Sequence, residues 1–256
     1  MKIRLFLEKN ARKNADFYYS EGKRYREKAA KAEEALKGID KRIRKMEKTK
    51  EKRMESKKKE IAKTREWFEH YRWFRTEGGK VCIAGKNADE NEEIVKKYMD
   101  DGDLFFHADI HGGSVVIMKG GTDADIREKI SCAVFAASYS SAWELGYNEV
   151  GVFAARKGQL SKTVKEGNLK KGGFGIEGER EWYKHTVLGL AIGRNGDKIS
   201  SAPWNHNDFE KAVEIRPGGN LNKAQATKKI CEILKARDEE VSWLIPKGRY
   251  TLRVKK

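Results

Sequence analysis

The sequence predicts an α+β protein in three parts. A basic, antiparallel coiled-coil hairpin occupies residues 1–66, a mixed-sheet globular domain residues 67–199, and a small C-terminal α/β appendage residues 200–256. Three observations predict this. Charge is uneven: residues 1–66 hold 24 Lys and Arg against 12 Asp and Glu, a net of +12 out of a total of +16. The same stretch has no proline, since the first is Pro203, and residues 10–66 have only two glycines, Gly22 and Gly38. From Trp67 onward the chain turns apolar and aromatic, with short apolar runs separated by glycine pairs.

The first part is rich in Lys, Glu, Arg and Ala, all strong helix formers. Leu36, Ile39, Ile43 and Met46 follow the 3-4-3 spacing of an a/d seam. Tyr18, Tyr25, Ala29 and Ala32 keep the same phase upstream, and Met54, Ile61 and Phe68 recur every seven residues downstream. Lysines interrupt the seam near residues 48–53, where a chain reversal fits, and Gly38 is a second position for one. A single long solvated helix is the alternative. Trp67, Phe68, Tyr71, Trp73 and Phe74 crowd one helix end, as apolar docking onto a globular domain requires.

In the second part Lys80–Ala84 reads as a strand, Asn87–Tyr98 as a short helix, and Asp103–Asp109 and Ser114–Lys119 as two strands. A helix capped by Asp123 runs to about Ser141, and Glu149–Ala155 is a further strand. Gly78-Gly79, Asp100-Asp101-Gly102, Gly112-Gly113 and Gly120-Gly121 supply the turns. In the third part, Pro203–Asp208 reads as a linker, Asn222 caps a helix Lys223–Ala236, and Val241–Ile245 and Arg249–Val254 read as strands.

Composition narrows the function. The longest apolar run, Cys132–Ala137, is too short to cross a bilayer, and no apolar segment follows Met1-Lys2-Ile3-Arg4, so a cytoplasmic protein without membrane contact is expected. Cys82, Cys132 and Cys231 are odd in number and widely spaced, which fits neither a disulfide framework nor a zinc site. The excess of basic charge favours a polyanion, bound with counterion release.

The segment Gly102–Ser114 carries the most chemistry. In a continuous strand His107, Asp109 and His111 share one face, because side chains alternate, and the strand ends at Gly112-Gly113. Two imidazoles and a carboxylate together suit a metal site, acid–base work, or hydrogen bonding to RNA sugar and base edges. A structural role, with Asp109 capping the turn and the histidines satisfying buried groups, is the fourth reading. Further along, Arg156, Lys157, Gln159, Ser161 and Lys162, then Lys170 and Lys171, form two basic loops suited to phosphate. Ser161-Lys162 is not a catalytic dyad, since adjacent residues in a strand point apart, and no Walker loop is present.

These motifs resemble the NFACT-R domain. The resemblance rests on Gly102-Asp103-Leu104-Phe105-Phe106-His107-Ala108-Asp109-Ile110-His111-Gly112, on the aromatic run Trp67–Phe74, and on Gly85-Lys86-Asn87-Ala88 with Asn91. It continues through Tyr139-Ser140-Ser141-Ala142-Trp143, Gln159–Thr163 and Gly173–Gly178, and covers about residues 8–193. Gly113 replaces the family's common Ala, Val164-Lys165 its Ala-Pro, and Gly173 its frequent Ser. The resemblance implies membership of the NEMF, RqcH and Tae-type family of ribosome-associated quality control. It implies large-subunit ribosomal RNA, tRNA and ribosomes with stalled nascent chains as partners, with the coiled coil reaching along the subunit. The expectation is an RNA-binding protein, not an enzyme, with no cofactor and no catalytic or metal residues. Its RNA-binding residues are expected to be His107, Asp109, His111, Gly112, Gly113, Arg156, Lys157, Gln159, Ser161, Lys162, Lys170 and Lys171. The alternatives are a stand-alone RNA-binding or tRNA-processing factor, a metal-dependent RNA enzyme built on His107, Asp109 and His111, and a protein-binding adaptor.

Overall fold

In a computed structural model, which describes residues 4–63, 66–161, 163–164, 167–168, 171–206 and 208–255, the first basic stretch forms one helix, α1 (Ala11–Lys63). Its 53 residues span about 80 Å. The expected hairpin is therefore corrected to a single helix. Neither candidate reversal breaks it: the lysines near residues 48–53 are helix formers, and Gly38, with nothing within 4 Å, costs only about 1 kcal/mol. The seam has no partner among the described residues, and Leu36, Ile39, Ile43 and Met46 are exposed. The side chains of Met54 and Ile61 lie outside the described ones. Residues 4–10 cap the start of α1. Buried Asn14 accepts from Phe6 N at 2.9 Å and donates to the carbonyls of Phe6 and Lys9, while Lys9 lies over the rings of Phe6 and Phe17.

The chain divides into two compact units, Met1–Arg65 and Glu66–Lys256. The second opens with a helical turn, Trp67–His70, after which Trp73 and Phe74 lie on a strand instead of the expected helix end. Its elements in order are β1 (Arg72–Arg75), β2 (Val81–Ala84), α2 (Ala88–Glu93), β3 (Leu104–Ala108), β4 (Val116–Met118), α3 (Ile126–Ser138), α4 (Ser141–Glu144) and β5 (Glu149–Arg156). Four two-residue strands follow, β6 (Leu160–Ser161), β7 (Thr163–Val164), β8 (Gly167–Asn168) and β9 (Gly175–Ile176). The chain closes with β10 (Glu181–Val187), β11 (Leu190–Asn195), β12 (Lys198–Pro203), β13 (Lys211–Leu221), α5 (Lys223–Leu234), α6 (Asp238–Val241) and β14 (Tyr250–Lys255).

Two antiparallel sheets organise this unit, ordered β1-β2-β4-β3-β5-β10 and β12-β11-β13-β14. Both faces of β2, β3, β4 and the second half of β5 are covered, which is why these segments read as nearly continuous apolar runs. On one side Phe106, Val116, Met118 and Val152 meet Phe135 of α3 in a core that runs on through Ile192, Val213, Ile215, Ile230 and Tyr250. On the other, Phe105, Ile117 and Phe153 meet Phe68, Ile94 and Met99. The core's continuity corrects the expected appendage. Residues 200–256 supply part of a sheet whose β11–β12 pair spans the expected boundary at 199/200, and they share their core with α3. Val241–Ile245, expected as a strand, instead runs from the last residue of α6 into turns, and Asp125 rather than Asp123 caps α3 in a capping box with Glu128.

Candidate nucleic-acid interface

The conspicuous segment sits where β3 stops. β3 pairs with β4 on one side and β5 on the other, His107 opposite Phe153 and Ala108 opposite Val152. The alternation that would keep His107, Asp109 and His111 on one face ends there. Ile110 N bonds back to Ala108 O at 2.8 Å, a tight turn that exposes Asp109 and His111. His107 remains in the sheet. Its Nδ1 lies 2.7 Å from Ala108 O, and its ring sits 6.0 Å from that of Phe153 and 6.3 Å from that of Phe105. Burial holds its imidazole below the ordinary histidine range, so it is neutral at neutral pH. Among the described residues no three His, Cys, Asp or Glu side chains converge as a metal site would need.

Gly112-Gly113 bring the loop onto the junction of α3 and α4. Ser141 N donates to Gly112 O at 3.0 Å, Ser141 Oγ to His111 O at 2.6 Å, and Ser114 N to Tyr139 O at 3.1 Å. A Cβ on Gly113 would come within 3.1 Å of His107 Nε2, so the glycine seats the backbone against the imidazole. Tyr139-Ser140-Ser141-Ala142-Trp143 is thus the support of the His107–Gly113 segment. The Tyr139 hydroxyl, buried 2.7 Å from Ser201 Oγ and 2.5 Å from Leu244 O, ties the same junction to the second sheet, and burial pushes its pKa up to about 12.

A second wall comes from the turn before α2. Asn87 caps α2 by accepting from Glu90 N at 2.9 Å, and Asn91, buried, accepts from Val115 N at 3.1 Å. A Cβ on Gly85 would fall 2.3 Å from Asn91 Oδ1. The third wall is the turn Lys171-Gly172-Gly173-Phe174, docked on α2: Gly172 N donates to Glu92 at 3.2 Å, and Lys171 pairs with Asp89 at 2.5 Å.

These walls enclose one open cleft of about 890 Å³, joined by Arg72 from β1 and Pro246-Lys247 from the C-terminal segment. Lys86, Lys171, Lys247 and Arg72 make its lining basic against Asp109 and Glu144. Lys86 and Lys171 are partly neutralised by α2 carboxylates, and Arg72 lies 4.3 Å over the Tyr139 ring. Lys247 is exposed and forms no ion pair among the described residues.

Of the expected residues, the cleft gathers His107, Asp109, His111, Gly112, Gly113 and Lys171. Arg156, Lys157, Gln159 and Ser161 are not with them. Arg156 pairs with Leu104, at the opposite end of β3 from Ala108. Gln159 is structural: it accepts from Arg156 N at 2.8 Å and donates to the carbonyls of Glu177 and Glu179. Ser161 pairs with Gly175 in the β6–β9 ladder. Lys162 and Lys170 lie outside the described residues. Lys247 is absent from the expected set, and Arg72 stands there only as part of the aromatic run Trp67–Phe74. Sequence reasoning places Lys86, Asn87 and Ser141 in motifs without assigning them to the site. Lys247 carries no local signal at all, because only tertiary folding brings the Pro246 turn to the cleft.

Comparison with known proteins bears on this arrangement. Residues 70–178 match the NFACT protein RNA binding domain. The archaeal Rqc2 homolog aRqcH of Methanocaldococcus jannaschii is 39% identical over 202 residues, 75% of this chain and 30% of that protein. The ribosome quality control complex subunit NEMF homolog of Drosophila melanogaster is 33% identical over 191 residues, 72% of this chain and 18% of that protein. The solved C-terminal part of the fibronectin/fibrinogen-binding protein of Streptococcus suis is similar over 46% of each chain, with 28% identity and a TM-score of 0.40. This chain thus spans less than a third of either curated relative. The matched region holds the His107–Gly113 loop, the Lys86–Asn91 turn, the Tyr139–Trp143 junction and the Lys171–Phe174 turn, and the chain belongs to the NEMF/RqcH family of NFACT RNA-binding-domain proteins.

Proposed function

We propose that this chain is a non-catalytic RNA-binding component of ribosome-associated quality control. In this reading it works in the cytoplasm and engages the large ribosomal subunit and tRNA on stalled nascent-chain complexes. The observation that carries it is convergence: motifs near residues 86, 110, 140 and 172 line one basic cleft, in a domain whose family is RNA-binding. The relatives' names, which place them in ribosome quality control, support the cellular setting.

The chemistry divides by residue type. Lys247, Lys171 and Lys86 suit phosphate, the interaction that positions RNA without reading it. Exposed Asp109 and His111 suit sugar hydroxyls and base edges. The Gly112-Gly113 backbone lets a strand approach closely, and neutral His107 forms part of the floor. Helix α1, in a segment of net +12, acts as an arm that gathers phosphate at long range. Cosedimentation of the chain with purified large subunits, with and without tRNA, tests the reading. Comigration that tRNA strengthens is expected, and a chain left in the supernatant under both conditions overturns it.

A further inference from the structure

The cleft does not end at its own wall. On the sheet face that carries His107, the cross-strand partners His107, Phe153 and Trp182 stand in a row on β3, β5 and β10. Their ring centroids are 6.0 and 5.6 Å apart. His107 and Phe153 line the cleft, while Trp182, on the edge strand, is 44% exposed. Beside it Gly151 leaves a gap: a Cβ there would lie 3.7 Å from Asp109 Cβ and 4.0 Å from Trp182 Cζ3. The result is a hollow of about 550 Å³ bounded by Asp109, Glu149, Trp182, Lys184 and His185. Asp109 borders both the hollow and the cleft.

The surroundings sort by charge. Arg180 lies 4.7 Å over the Phe153 ring and 5.9 Å from the Trp182 ring. A bulge between Tyr183 and Thr186, with His185 at φ +56, leaves Lys184 and His185 both outward where regular alternation would bury one. Asp109 and Glu149 repel phosphate at the rim but accept hydrogen bonds from base amino and imino groups, so the hollow suits a base and its flanks suit phosphates.

We propose that the aromatic row continues the RNA path out of the cleft, and that an unpaired nucleobase stacks on Trp182 over Gly151 with its flanking phosphates on Arg180 and Lys184. The partner is single-stranded RNA, since a duplex hides its base faces in its own stack. The inference rests on the RNA-binding reading of the cleft and extends it to a second subsite.

The test titrates the full chain with an end-labelled single-stranded RNA of about ten nucleotides and with a duplex of equal length. Trp182→Ala weakens single-strand binding about fivefold or more, with an unchanged salt slope because no cation is removed. Trp182→Phe retains most of the affinity. Gly151→Val fills the hollow while keeping the indole in the chain, and reproduces the Trp182→Ala loss. Duplex binding changes by less than about twofold throughout. If the wild type binds single strands and both Trp182→Ala and Gly151→Val bind them equally well, the subsite is overturned and the cleft stands. An equal loss for duplex also overturns it. A wild type that binds neither RNA overturns the functional reading and this inference together.

Discussion

Replacing Gly172 with alanine probes the wall that brings Lys171 to the cleft. Gly172 sits at φ +79, a conformation that costs an L-residue about 1–2 kcal/mol. The added methyl would lie 2.8 Å from Ala88 Cα and 3.0 Å from Ala88 O. Those atoms are backbone, so no rotamer change relieves the overlap, and forced overpacking costs about 1–3 kcal/mol more. Against a strain of about 2–5 kcal/mol, the bond from Gly172 N to Glu92 contributes about 2 kcal/mol. The exposed Lys171–Asp89 pair adds little in water. The turn therefore swings off α2 rather than unfolding the core beneath. The expected result is a melting temperature within about 2 °C of wild type, faster exchange of the amide at position 172, and RNA affinity about fivefold weaker. A melt that drops by about 5 °C or more, with normal affinity in the folded fraction, would mean that the strain reaches the core and that the turn does not swing off α2.

Three other perturbations read separate parts of the molecule. Asp103, 2% exposed, accepts from Lys119 Nζ at 2.6 Å and from the amides of Gly120 and Asp100 at 2.7 Å. Asp103→Ala should cost about 3 kcal/mol and lower the melting temperature by roughly 6–12 °C, and a shift under about 2 °C would contradict that role. Deleting residues 1–65 should flatten the salt dependence of RNA binding by about 0.9 in log–log slope for each phosphate that α1 neutralises, whereas a full slope would acquit α1 of the electrostatic role. His107, held low by burial against an ordinary value of 6.5, lets the unfolded chain take the proton first. Stability is thus complete above about pH 6.5 and falls as pH drops toward the lowered value. His206, also held low by burial, contributes with the same sign, so His107→Gln should remove only part of the loss seen by denaturant titration at acid pH.

The sequence is most legible where local chemistry decides. Short apolar runs bounded by glycine turns locate β2 to β5 within a residue or two, and Asn222 is readable as the cap of α5. It misleads where long-range packing decides. The a/d spacing of Leu36–Met46 implies a partner helix, yet among the described residues nothing packs on this seam, because spacing records apolar positions and not whether anything covers them. The set His107, Asp109, His111 is visible in the sequence, but the shared face that alternation implies does not form. Alternation holds only while the ladder holds, and the Ile110–Ala108 turn ends it. The basic loop at Arg156 follows a strand and so looks like part of the site, but strand order places it at the far end of β3. Lys247 reaches the cleft only because folding sets the turn before β14 beside it, and the local sequence does not say where that turn goes.

Whether RNA lies in the cleft is settled by mapping where RNA touches the protein. The full chain, bound to purified large subunits with tRNA, is cross-linked by ultraviolet light and digested, and the peptides carrying nucleotide adducts are identified by mass spectrometry. Adducts are expected on peptides containing residues 107–113, 171–174 and 246–247, with further adducts along α1. Adducts confined to α1 and to the Arg156–Ser161 loop, with none on the peptides that line the cleft, would contradict RNA binding in the cleft.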